Sequence, residues 1–277
     1  MKKRSTSTVL AAVAIIVASA AVFAGGASAS SNYVSLGDSY IAGSGILPIV
    51  TDSAPLSCTQ SYWNFPHKLD RKLQFSSFVD ASCGAAVTGN MTGNQGDNPP
   101  QFNRLEPDTD LVTLGIGGND IGLVTKAISC FSPVWPWGSP CRDRNSDYIS
   151  TSVSSLKPKV ATVLNGIHTR SPNARVLVVG YPKVVRRGGC WPQVPITSGD
   201  ATWLDDIIRA MNRTLEGAAV ENGAEYVDIY TSSVGHDMCQ LPGIRWVEGL
   251  APVLSVAFFH PNALSHHNSY MQVLAAL

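Results

Sequence analysis

Four short apolar runs, Tyr33–Leu36, Leu111–Ile116, Arg175–Val179 and Tyr226–Ile229, do most to limit what this chain can fold into. They are short, largely β-branched or aromatic, and read as buried parallel strands. Ser77–Ala81 is a weaker fifth run. Helical patterns lie between them. Val153, Leu156, Val160, Val163, Leu164 and Ile167 recur at spacings of three and four, and Pro158 is expected to start or kink that helix. Leu204, Ile207, Ile208, Met211 and Leu215 make a cleaner stripe, closed by Asn222-Gly223. Strands alternating with helices predict a doubly wound α/β sheet, with a functional site at the carboxyl ends of the strands.

The first residues belong to a different problem. Lys2-Lys3-Arg4 is basic, Val9 to Ala24 is apolar, and Ala27-Ser28-Ala29 offers small residues for cleavage. That is the pattern of a signal peptide over residues 1–29. The apolar stretch falls short of the roughly 20 residues needed to span a bilayer. Cleavage after Ala29 would leave one secreted domain, residues 30–277. Three of the 20 basic residues go with the leader, so 17 cations face 20 acids, a net −3. So small a charge gives no footing for a nucleic-acid partner.

Cys58, Cys83, Cys130, Cys141, Cys190 and Cys239 all follow the leader. An even count in an exported chain predicts three disulfides, although six cysteines allow 15 connectivities. No Cys-x-x-Cys pair suggests zinc. Cys130–Cys141 is the pairing the residues favour, because its short loop carries Pro133, Pro136, Gly138 and Pro140.

Three blocks carry the chemistry: Gly37-Asp38-Ser39-Tyr40, Gly115-Ile116-Gly117-Gly118-Asn119-Asp120 and His260-Pro261-Asn262. A hydroxyl, an amide donor and an imidazole are what acyl transfer needs as nucleophile, oxyanion stabiliser and base. In this order the blocks resemble the SGNH (GDSL-type) hydrolases, in particular the secreted actinobacterial lipases and phospholipases. The resemblance runs from about Tyr33 to the C-terminus. It implies a flavodoxin-like, five-stranded parallel sheet with Ser39 and His260 as catalytic residues. The oxyanion hole it implies is built from the Ser39 N–H, the Gly84 N–H and the Asn119 amide. It further implies sequential disulfides, adding Cys58–Cys83 and Cys190–Cys239, and needs neither metal nor cofactor.

Each residue has a plainer reading. Ser39 could cap a turn after a strand, and Asn119 could cap a helix. His67 and His168 read as surface residues, while His266 and His267 are adjacent and must face different sides of one helix. A metal cluster of these with His236 is the other plain reading. Asp38 is placed to shape the Ser39 turn rather than to serve as a triad acid. The family often carries an aspartate three residues before the histidine, and here that position is Ala257. Something must still hold the Nδ1–H. The backbone carbonyl of Ala257, or of a neighbour, is the expected orienter, giving a Ser–His dyad. Asp237 or Glu248 folding back is the alternative.

The expected activity is hydrolysis of fatty-acyl esters by a lipase or phospholipase. Phe131, Val134, Trp135, Trp137, Phe258 and Phe259 are apolar candidates for acyl-chain binding or transient contact with a lipid interface, although Trp-Pro-Trp could simply pack its own loop. A carbohydrate acetyl or aryl esterase is the rival within the same chemistry. A non-catalytic secreted binding module is the rival of another class. A monomer is expected.

Overall fold

Because its helices cover both faces of the sheet, every central strand can be apolar throughout. The structure, a computed structural model, describes residues 31–252 and 254–277, so the expected signal peptide lies outside the described residues. The strands are β1 (Asn32–Gly37), β2 (Ser77–Asp80), β3 (Leu111–Gly115), β4 (Arg175–Val179) and β5 (Glu225–Val227). They form one five-stranded sheet in the order 2-1-3-4-5. Every pairing is parallel. The helices are α1 (Ser39–Ala42), α2 (Phe65–Leu73), α3 (Leu123–Ser129), α4 (Pro140–Asp143), α5 (Leu156–Arg170), α6 (Ser198–Glu221) and α7 (Ala263–Ala276).

Successive strand side chains point to opposite faces. Tyr33, Leu111, Leu177 and Val179 pack with Phe65, Leu69 and Val273, which places α2 and α7 on one side. Val34, Leu36, Val112, Leu114, Val176 and Val178 belong to the core that includes Leu156, Val160, Ile207 and Met211 of α5 and α6. Pro158 is the third residue of α5, in the first turn, where a missing N–H costs no intrahelical bond. A π-helical turn, Ile149–Val153, precedes that helix and takes up the valine expected inside it. Asn222 caps α6, and Gly223 follows with φ +70°. β5 stops two residues before its apolar run ends. There the Asp228 carboxylate accepts the Tyr230 and Thr231 N–H groups at 2.8 and 3.0 Å and turns the chain.

The cysteines pair as Cys58–Cys83, Cys130–Cys141 and Cys190–Cys239. The first joins the loop after α1 to the segment leaving β2, and the second closes the aromatic loop before α4.

Candidate active site

β1 and β3 run side by side until Gly37 faces Gly115. These two positions need glycine. A Cβ on Gly37 would lie 2.5 Å from both the Gly115 carbonyl and Ile41 Cγ1, and one on Gly115 would overlap Ile41. With no side chain at either position, α1 starts directly over the strand ends. Asp38 caps it, its Oδ1 accepting the Tyr40 N–H at 2.9 Å. Its other oxygen accepts the Tyr181 hydroxyl. Burial raises the Asp38 carboxyl to about 7, although the bonds from Tyr181 and Tyr40 work against that shift. Ser39 follows at the start of the helix, 6 % exposed.

His260 meets it from the far end of the chain. Its Nε2 lies 3.0 Å from Ser39 Oγ, and its Nδ1 lies 2.8 Å from the Phe258 carbonyl. A carbonyl can only accept, so Nδ1 carries the proton and Nε2 is left to accept from the serine. The orienting carbonyl is therefore that of Phe258, not of Ala257. The reason is local: Phe259 sits at φ +62°, turning the chain so that the imidazole folds back on the carbonyl two residues before it. Ala257 packs instead against Gly45, where an added Cβ would come within 2.6 Å of Ala257 N. The loop is pinned at Phe259, whose N–H donates to the Glu248 carbonyl at 2.9 Å and whose carbonyl accepts the Tyr40 hydroxyl at 2.6 Å. Burial pushes the His260 pKa below its ordinary value, with the Phe258 carbonyl bond opposing the shift.

Neither acid held as an alternative faces the imidazole. Glu248 pairs with Arg245 at 2.7 Å and accepts Asn262 Nδ2 at 3.0 Å. Asp237 accepts the Cys239 N–H at 3.0 Å. Glu248 acts one step away, because Asn262 caps α7 through the Leu264 and Ser265 N–H groups.

The donors expected for an oxyanion divide. Among the described residues no hydrogen bond occupies the Ser39 N–H. Asn119 Nδ2 donates one hydrogen to the Ala86 carbonyl at 2.9 Å, which leaves its second free. Gly84 differs from expectation: its N–H donates to the Cys58 carbonyl at 2.8 Å and is thereby turned away from an incoming oxyanion. Its lack of a side chain matters for space, since a Cβ would sit 2.7 Å from Thr59 Oγ1. Asp120 ties the same loop down, accepting Thr88 N–H and Oγ1 at 2.9 and 2.6 Å.

The remaining histidines stand apart from this geometry. His67 is half-buried rather than on the surface, 2.9 Å from Asn64 Oδ1, and burial pushes its pKa to about 4. His168 is also half-buried, 3.0 Å from the Asn222 carbonyl. His266 is buried and His267 exposed. His236 stacks on Trp246 at 3.7 Å. Among the described residues no three metal-binding side chains converge.

Sequence reasoning missed Tyr181, which donates to Asp38, and the role of Tyr40 over the histidine loop. The only signal for Tyr181 is its place just beyond the carboxyl end of β4.

Apolar surface surrounds the pair. Phe131 meets Phe258 edge-on at 5.4 Å and Phe259 at 6.2 Å. Trp135 and Trp137 pack on each other at 5.0 Å, yet remain 59 % and 62 % exposed. A void of about 10 Å³ lined wholly by apolar side chains, Leu123, Val124 and Ala127 among them, lies in the core against Tyr40 and Phe259, and neither Ser39 nor His260 lines it.

Residues 35–267 match the GDSL-like Lipase/Acylhydrolase family. The chain is 38 % identical over 247 residues to Lipase 2 of Streptomyces coelicolor, covering 86 % of this chain and 83 % of that one. Phospholipase A1 from Streptomyces albidoflavus superposes with a TM-score of 0.75 at 26 % identity, covering 90 % of this chain and 99 % of its own. An extracellular lipase from Streptomyces rimosus gives 0.76 at 26 % identity, covering 89 % and 99 %.

Proposed function

The chain belongs to the GDSL-like lipase/acylhydrolase family of carboxylic-ester hydrolases, and from that premise we propose a secreted, monomeric enzyme that cleaves fatty-acyl esters through a Ser39–His260 dyad. The observation that carries the reading is the 3.0 Å approach of His260 Nε2 to Ser39 Oγ, with the opposite ring nitrogen fixed by a backbone carbonyl. His260 takes the serine proton as Oγ attacks the ester carbonyl, then returns it to the leaving alcohol. The Ser39 N–H and the free Asn119 hydrogen receive the oxyanion. Gly84 joins them only when its N–H leaves the Cys58 carbonyl. Water then attacks the acyl-enzyme, again with His260 as base.

The aromatic side chains packed against the histidine loop, Phe131, Phe258 and Phe259, favour an acyl chain over an acetyl group. The exposed Val134, Trp135 and Trp137 supply apolar knobs for transient contact with a lipid surface. Secretion accords with three disulfides and with the extracellular lipase among the similar structures.

Ser39→Ala and His260→Ala, each folded, are expected to lower hydrolysis of p-nitrophenyl esters by at least ~10³-fold. The wild type is expected to prefer octanoate and longer chains to acetate. Near-normal turnover by Ser39→Ala would refute the dyad, and preference for acetate would favour a carbohydrate acetyl esterase.

A further inference from the structure

Two loops must hold a fixed separation for the proposed chemistry, one carrying Ser39 and the other Asn119. Their strands are zipped only as far as the Asp38 N–H, which donates to the Gly115 carbonyl at 3.0 Å. Beyond that bond, no backbone hydrogen bond joins residues 39–45 to residues 116–122 among the described residues. Side chains take over, with the Asp38 carboxylate itself facing the Gly118 N–H. The Tyr181 hydroxyl accepts the Gly118 N–H at 2.9 Å and donates to the Asp38 carboxylate. It thus touches the residue before the nucleophile and the residue before the oxyanion amide.

The tyrosine is itself held from behind. Its N–H and its carbonyl are both paired with the Asn212 side-chain amide of α6, each at 2.8 Å. Its ring lies 4.9 Å from that of Tyr40, and the whole side chain is 1 % exposed. Gly118 leaves room for it, since a Cβ there would stand 3.0 Å from the phenol oxygen. We propose that Tyr181 is a positioning residue of the ester-cleaving site, its hydroxyl setting the Ser39 turn against the Asn119 loop. This rests on the Ser39–His260 reading above.

The bridge has a direction. Burial and the Asp38 carboxylate raise the Tyr181 pKa, so the phenol stays protonated and donates. Once Asp38 takes up a proton, that donation loses its charged acceptor and the bridge weakens. The other charged or titratable groups about Asp38 are Tyr40 and Asp120, with the His260 ring 5.3 Å from Tyr40. The Tyr181 bond favours the charged form of Asp38, so removing it raises that pKa and carries the acid limb of kcat/KM to higher pH. A tyrosine that merely filled space would leave the limb where it is.

The test compares wild type, Ser39→Ala, Tyr181→Phe, Asp38→Asn and the Tyr181→Phe/Asp38→Asn double variant on one p-nitrophenyl ester across pH. Tyr181→Phe is expected to lower kcat about 10–10²-fold, as misplaced catalytic groups do, with KM little changed and the acid limb displaced upward. Asp38→Asn is expected to leave only the His260 limb, below about 6.5. In that background Tyr181→Phe is expected to shift no limb and to cost less than it does alone. Wild-type kcat with an unmoved limb in folded Tyr181→Phe overturns the proposal, whatever its melting temperature. Active Ser39→Ala would instead remove the reading beneath it. Should Tyr181→Phe not fold, 3-fluorotyrosine at position 181 keeps ring and hydroxyl while donating more strongly. The limb is then expected to move down, and an unmoved limb overturns the proposal.

Discussion

The carbonyl that meets His260 Nδ1 has no letter in the sequence. Ala257 shows only that an acid is absent, and which carbonyl replaces it depends on the positive φ of Phe259. The same holds for Gly84, whose N–H is engaged by a Cys58 carbonyl that no side-chain pattern announces. Side-chain chemistry was legible: Ser39, Asn119 and His260 stand out because each lies in a short block at a strand end or a helix start. Glu248 separates structure from catalysis at this scale. It is buried with Arg245 and faces Asn262 rather than the imidazole. Glu248→Gln would leave the Arg245 charge without its carboxylate, so a loss of about 3–5 kcal/mol in stability is expected by denaturant unfolding. The kcat of the folded fraction is expected to stay within about tenfold of wild type, because in the proposed dyad no carboxylate supports the tautomer. A fall near the ~10⁴ of a mis-set triad would restore the acid.

The central strands were legible because burial on both faces leaves them largely apolar, with only Ser35 and Thr113 as polar residues inside β1 and β3. Their ends were less so, since β5 stops where the Asp228 side chain captures two N–H groups, a bond that competes with the ladder rather than with hydropathy. The disulfides divide by what they hold. Cys58–Cys83 braces the segment from Gly84 to Ala86, and Ala86 carries the carbonyl that orients Asn119. Cys130–Cys141 closes the loop of Val134, Trp135 and Trp137. Replacing the first pair by serine is expected to lower kcat on short and long esters alike. Replacing the second is expected to raise KM for long-chain or vesicle-borne esters and to spare short ones. Each loss is expected to cost about 2–5 kcal/mol on unfolding. Equal kinetic effects from the two removals would show that the loops are not specialised in this way.

Across the whole molecule, buried titratable groups pull stability in opposite directions. Asp38 and Asp80 are raised by burial to about 7 and about 6. Such acids favour the folded state while protonated, so their contribution is lost as pH rises from the ordinary ~4 through 6 to 7. His67 and His266 are lowered by burial to about 4 and about 3. Their contribution is present above the ordinary ~6.5 and lost as pH falls towards those values. The two slopes oppose each other over roughly pH 4–6, so unfolding free energy is expected to vary little there. Asp80→Asn removes one of the two acids on that side of the balance, and its stability is expected to fall more steeply on acidification than that of wild type. Parallel curves for the two proteins would contradict this assignment.

The far end of the sheet has a practical use. Arg175, the first residue of β4, donates to the carbonyls of Ala276 and Leu277 at 2.5 and 3.1 Å. The last helix therefore finishes at the amino ends of the strands, opposite Ser39. A bead, an electrode or a fused protein attached through Leu277 would hold the molecule with its reactive mouth turned outward. Anchoring through the tryptophan loop would press that mouth against the support.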